Sequence, residues 1–158
     1  MKLVKILMSM NKKILFSLLG LFIGLLISLT ANADLDKAIA YAEAGETRKA
    51  ETELLRISQR AMDGNPKAMC EFGTMYNSEG MWIVKSEKDA IEWWLKSAEM
   101  GYAPCQFTMG ALSLIGQGGV KKDMSKAKFW LYKAKESTYE KYAKASAEIY
   151  ATHNLDQY

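Results

Sequence analysis

A gapless internal repeat of 37 residues constrains this chain more than any other feature of its sequence. Residues 64–100 slide onto residues 101–137, so that Gly64 falls on Gly101, Gly73 on Gly110, Ala90 on Ala127, Trp93 on Trp130, Lys96 on Lys133 and Glu99 on Glu136. Self-similarity at this period marks a stacked array, in which each unit buries its apolar face against its neighbours.

Each copy reads as helix, loop, helix. In copy one, Asn65-Pro66 starts the first helix as an N-cap and a proline at the first helical position, where the missing N–H costs nothing. Ala68, Phe72, Gly73 and Tyr76 then form one helical stripe. Gly73 and Gly110 sit in mid-helix, where glycine costs about 1 kcal/mol against alanine. Close approach of a second helix would justify that cost. The loops differ: Gly116-Gln117-Gly118-Gly119 is a turn signal, whereas Glu79-Gly80-Met81-Trp82 suggests a loop that packs an aromatic ring. Ser86 and Asp123 are N-caps for the second helices, Ser86 with Asp89 as an approximate capping box. The stripes Ala90, Trp93, Trp94, Ser97, Ala98 and Ala127, Trp130, Leu131, Ala134 set large aromatics between small residues, as a tight helix pair needs. A stacking platform at Trp94 is the functional alternative to a core position.

These residues resemble the Sel1-like repeat, a relative of the tetratricopeptide repeat. Copy two carries Gly119-Val120, Asp123, Lys126-Ala127, Trp130 and Lys133-Ala134 in that family's order, departing at Cys105 and Ser113. Copy one keeps Ala68, Gly73 and Tyr76, with Ser86 and Asp89 as departures. The resemblance implies an all-α fold, a short right-handed α-solenoid of antiparallel helix pairs. Its units are a tetratricopeptide-like pair over 34–64, repeats over 65–100 and 101–137, and a capping helix with tail over 138–158.

In the first of these, Leu35, Ala38, Tyr41 and Ala42 line one helix, Gly45 breaks it, and Ala50, Leu54, Ile57 and Ala61 line the next. Glu46, Arg48, Lys49, Glu51, Glu53, Arg56 and Arg60 read as its solvated face. After copy two, Ser137 with Glu140 reads as a further helix start, with Tyr142, Ala143, Ser146, Ile149 and Tyr150 on the inner side. Such an end element caps the last repeat, and residues 154–158 read as a frayed tail.

The chain opens with Lys2, Lys5, Lys12 and Lys13 and no acid, then an apolar run over 14–30 and a small-x-small site at Ala31-Asn32-Ala33. This is the layout of a bacterial secretory signal peptide cleaved after Ala33. The expected location is the periplasm or the exterior; the rival is an inner-membrane anchor formed by residues 14–30. The chain carries 21 basic and 18 acidic side chains, but residues 34–158 carry 17 against 18, a net charge of −1. The basic stripe that nucleic-acid binding wants is not implied.

Cys70 and Cys105 lie on first helices of neighbouring units, which should pack side by side. In an oxidising compartment an even cysteine count suggests pairing, so a Cys70–Cys105 disulfide is expected to tie the repeats together. The alternative is a buried Cys105 acting as a small apolar residue and a separate thiol at Cys70. Two cysteines and one distant histidine make no metal pattern, and no cofactor is implied.

Catalysis is not expected. His153, the single histidine, lies near the chain end and completes no nucleophile pair. Cysteine-rich exported members of the family suggest a remote β-lactam-binding or hydrolysing role. For it, Ser9-Met10-Asn11-Lys12 has the letters of a Ser-x-x-Lys pair but sits in the export segment. The resemblance implies protein–protein interaction instead, on a concave face built from first helices. Transferring the tetratricopeptide layout gives Lys67, Cys70, Thr74 and Asn77 in copy one and Pro104, Phe107, Ala111 and Leu114 in copy two. An exposed Phe107–Ala111–Leu114 patch would anchor a partner peptide, unless the last helix folds back onto it. An envelope adaptor and an immunity protein against a toxin or hydrolase both fit. Another protein is the expected partner, with the membrane involved only if the N-terminal segment stays uncleaved.

Overall fold

The computed structural model describes residues 33–79 and 83–158. The export segment and Gly80, Met81 and Trp82 of the first loop lie outside them. Among the described residues there are α-helices and one 3-10 turn, and no strand. In chain order they are α1 (Ala33–Glu43), α2 (Thr47–Met62), α3 (Pro66–Asn77), α4 (Glu87–Glu99), α5 (Ala103–Ile115), α6 (Met124–Lys135) and α7 (Glu140–Thr152), then η1 (Leu155–Gln157). None of these helices is long and apolar enough to cross a membrane.

Helix starts follow the local chemistry. Asn65 Oδ1 accepts from the Ala68 N–H at 2.9 Å, Ser86 Oγ from Asp89 at 3.2 Å and Asp123 Oδ1 from Lys126 at 2.9 Å. The last start differs from expectation. α7 begins after Tyr139, which offers no side-chain cap. Ser137 instead donates its hydroxyl to the Ala134 carbonyl at 2.7 Å and so closes the end of α6. A serine after a helix satisfies an orphan carbonyl as readily as it caps the next start.

The repeat of the sequence is a repeat of hydrogen bonds. The Ser86 N–H meets the Tyr76 carbonyl at 2.9 Å, and 37 positions on the Asp123 N–H meets that of Ser113 at 2.8 Å. The loops thus close alike despite unlike composition. At the unit boundaries Asn65 donates to Arg60 and Tyr102 to Ser97, again 37 positions apart. Gly64 and Gly101 enter these boundaries at φ +88° and +87°, a left-handed turn that glycine takes without strain.

Each helix packs on its chain neighbours, so the core is a series of nearest-neighbour clusters. Leu35, Ala38, Leu54, Ile57, Ala61, Phe72 and Met75 join α1, α2 and α3. Trp94, Ala98, Cys105, Met109 and Trp130 join α4, α5 and α6. Phe107, Leu114, Leu131, Tyr142, Tyr150 and Leu155 join α5, α6, α7 and η1. Ala42 lies outside the core, exposed on α1.

The mid-helix glycines mark the expected close approaches. A Cβ on Gly73 would stand 2.7 Å from Trp94 Cδ1 and 3.0 Å from the Ala90 carbonyl oxygen. A Cβ on Gly110 would stand 2.6 Å from Leu131 Cγ. Trp94 is buried in that contact and offers no stacking platform. Trp93, one position earlier, is half-buried with its ring edge-on to Phe72 at 5.1 Å.

Two further expectations are corrected. Glu53 is buried rather than solvated, because Lys37 at 2.6 Å and Arg56 at 2.9 Å neutralise it between α1 and α2. The tail is seated rather than frayed. Leu155 is fully buried against α6 and α7, and Lys128 Nζ holds the Asp156 carbonyl at 3.0 Å.

Candidate interaction surface

Cys70 and Cys105 form a disulfide joining α3 to α5, with Cα atoms 5.9 Å apart. Both side chains are buried. The equivalent of Cys70 in copy two is Phe107, and its ring sits 5.8 Å from that of Tyr142 on α7. Each of these two residues therefore points at the next first helix: α5 for Cys70, α7 for Phe107.

This corrects the expected binding patch. Phe107, Ala111 and Leu114 are buried, Pro104 with them, because α7 stacks on α5 and completes the core. The transferred register names stacking positions in this chain, not an open concave surface. In copy one Cys70 is buried in the disulfide, while Lys67, Thr74 and Asn77 keep partial exposure. Thr74 Oγ1 donates to the Cys70 carbonyl at 3.0 Å and lies 3.4 Å from Trp94 Nε1. Asn77, at the end of α3, is half-buried.

Lys67 is tied into an ionic cluster across α1, α2 and α3. Its ammonium lies 2.8 Å from Asp34 and 2.7 Å from Glu71, while Arg60 reaches Asp34 at 2.8 Å. The Lys67 hydrogen bond, together with that of Arg60, holds the Asp34 carboxyl below its ordinary range, against the opposing effect of burial. Burial pushes Glu71 up despite Lys67: the carboxylate is fully buried, and its Oε2 meets no donor among the described residues. The Lys67 ammonium, opposed by burial, is still raised by its two carboxylate partners. Loss of water around Glu71 thus outweighs its single ion pair.

Sequence reasoning overlooked a second Ser-x-x-Lys match, Ser125-Lys126-Ala127-Lys128, on the first turns of α6. Ser125 is exposed, and the Lys128 amine is spent on the Asp156 carbonyl. An activated nucleophile wants its base in a defined, desolvated hydrogen bond, and this pair does not have that arrangement. Among the described residues no three His, Cys, Asp or Glu side chains cluster as metal ligands.

The open concave features are grooves where the second helix of one unit meets the first helix of the next. The first, about 510 Å3, lies between α2 and α3 and is lined by Leu54, Ser58, Phe72, Tyr76 and Ile83. The second, about 690 Å3, lies between α4 and α5 and is lined by Ile91, Leu95, Met109, Ser113 and Val120. Every one of these five residues is its counterpart shifted by 37 positions. The third, about 630 Å3, lies between α6 and α7 with η1 and continues the register with Lys128, Tyr132 and Tyr150. Volumes of this size hold a small molecule or a few side chains. The repeat in the sequence predicts this recurrence, but only once Ile83 and Val120 are recognised as groove walls.

The Sel1 repeat family model matches residues 66–102 and 103–139. A crystal structure of a Sel1 repeat protein from Oxalobacter formigenes is similar, with 28% identity, a TM-score of 0.54 and coverage of 75% of this chain. The match takes in 47% of that protein, so this chain spans about half its length. No curated protein matches the chain. The 37-residue period, the glycine-spaced helix pairs and these matches agree: the chain is a Sel1 repeat protein, an all-α array with its two repeats over residues 66–139.

Proposed function

We propose that residues 34–158 form a non-catalytic protein–protein interaction module of the bacterial envelope, exported by cleavage after Ala33. Sel1 repeats as a family serve protein–protein interaction. The observation that carries the reading is the groove that recurs at each unit junction with conserved register and an apolar floor. A scaffold that repeats a recess along its length offers regularly spaced seats for side chains of one partner segment.

The test is capture by the full chain carrying a C-terminal tag, expressed in its host and recovered from periplasmic and membrane fractions. A variant with Ile83→Glu and Val120→Glu, matched to wild type in helicity and melting, runs beside it. A partner retained by wild type and lost by the variant supports the reading. Its identity separates an adaptor from an immunity protein. Equal retention removes the grooves from the interaction. The first residue of the recovered protein, read by N-terminal sequencing, is Asp34 if cleavage follows Ala33.

A further inference from the structure

The charge of residues 34–158 is unevenly divided. Residues 34–119 carry 9 basic and 13 acidic side chains, whereas residues 120–158 carry 8 basic and 5 acidic. Six lysines fall within residues 121–135, against the single acid Asp123. They follow the second loop and α6, so lysines outnumber the acids Asp123 and Asp156 along the second and third grooves, while Glu51 borders the first.

Local pairing takes up only part of this charge, Lys128 meeting the Asp156 carbonyl at 3.0 Å and Lys135 meeting Glu136 at 3.6 Å. Asp123 approaches Lys126 only to 3.9 Å, and the Lys126 side chain is 70% exposed. Lys133 lies over the Phe129 ring at 5.0 Å and Lys135 over Tyr132 at 4.8 Å. Those rings are themselves exposed: Phe129 is 51% exposed and Tyr132 48%, one turn apart on α6. Phe129 lines both the second and the third groove, so it is the wall they share. Its repeat counterparts are Glu92 and Leu55.

We propose that this face docks an acidic, aromatic-bearing extended segment of a partner protein. Its apolar side chains enter the second and third grooves astride Phe129, and its carboxylates meet Lys121, Lys126 and Lys133. The inference rests on the interaction-module reading and names the chemistry of the partner. Charge complementarity selects the acid: a run of lysines repels a basic segment and draws an acidic one from a distance. Recessed apolar walls select side chains that can enter, since a membrane surface would leave the grooves unfilled. Aromatic anchors gain from Phe129 and Tyr132 through ring contacts.

The probe is a fluorescein-labelled synthetic peptide of four Glu-Glu-Phe units, titrated with the full chain by fluorescence anisotropy. Comparison peptides replace Glu with Lys or Phe with Ser, and vesicles of phosphatidylglycerol and phosphatidylcholine form a separate arm. Saturable binding by the Glu-Glu-Phe peptide alone is expected. It weakens by about tenfold or more in a Lys121→Glu/Lys126→Glu/Lys133→Glu variant and on raising salt to about 0.5 M. Phe129→Ser, an exposed change that leaves the core intact, weakens it at unchanged salt sensitivity. Leu55→Ser at the first groove leaves binding unchanged.

Equal binding of the Glu-Glu-Ser peptide overturns the groove assignment, and equal binding of the Lys-Lys-Phe peptide overturns the charge assignment. Binding to vesicles but not to the peptide reassigns the face to a lipid surface and overturns the proposal. No peptide binding overturns it as well. If capture of a groove-dependent partner persists in that case, the interaction-module reading survives without this partner class.

Discussion

The Trp94 indole lies so close to Gly73 that a methyl group there would meet its Cδ1 at 2.7 Å. Helix propensity alone would make Gly73→Ala stabilising by about 1 kcal/mol. Overpacking costs about 1–3 kcal/mol, and the Ala90 carbonyl at 3.0 Å belongs to backbone that gives way reluctantly. Gly73→Ala is therefore expected to destabilise by up to about 2 kcal/mol, and Gly110→Ala, facing Leu131 Cγ at 2.6 Å, by a similar amount. Thermal melts followed by circular dichroism check both. A raised Tm in either variant would show that the helices separate at no cost.

The disulfide closes a loop with a sequence separation of 35 residues between first helices. In the chain-entropy model its loss costs about 3–4 kcal/mol. Urea titration with and without reductant should show a lower midpoint for the reduced protein. Cys70→Ser/Cys105→Ser should reproduce that midpoint and be insensitive to reductant. Two thiols titrating in protein unfolded without reductant would contradict the bond.

Leu155 lies beyond the last α-helix yet is fully buried. Leu155→Ala is expected to cost about 2–5 kcal/mol, as in other core truncations. Leu55→Ala, at an exposed position of α2, should stay within about 0.5 kcal/mol. A neutral Leu155→Ala would mean that η1 contributes no packing in solution.

Carboxylates held at the α1–α2–α3 contact set opposite pH dependences. Glu71 holds its proton more tightly in the fold than its ordinary value of 4.5 allows, so stability declines as pH rises from that value through its folded value. Glu71→Gln removes this loss, and the amide oxygen can still accept from Lys67. The variant should melt higher than wild type at neutral pH, with the gap closing as pH falls below the ordinary glutamate range. Asp34 and Glu53 act the other way. Hydrogen bonds from Lys67 and Lys37 respectively lead their downward shifts, so their contribution is present above the ordinary carboxylate range and fades as pH falls through their folded values. Parallel melting curves for wild type and Glu71→Gln across the acid range would refute the Glu71 assignment.

The repeat architecture was legible because its signals are local. Asn65, Ser86 and Asp123 cap whatever helix follows them. Gly73 and Gly110 announce a neighbour simply by lacking a side chain. The disulfide was legible as well, since it needed only the order of first helices. What failed to read were positions decided by long-range packing. Phe107 and Leu114 have the composition of an exposed anchor or of a core, and α7, whose cap is absent from the sequence, decides between them. Leu155 follows the left-handed Asn154, and nothing in the tail's composition marks one leucine as buried. The grooves escaped notice for a related reason, because Ile83 and Val120 sit in loops whose other residues, Lys85 and Lys122 apart, are not identical.

The covalent link between α3 and α5 also alters how the array answers to force. A chain pulled from its two ends transmits tension through the Cys70–Cys105 bond and bypasses α4 and the loop before it. About 120 Å of contour, the extended length of the 35-residue separation, stays out of reach of extension until the bond is cut. The junction between the two Sel1 repeats thereby becomes the mechanically sheltered part of the molecule, and α1, α2 and the elements from α6 onward become the parts that can yield.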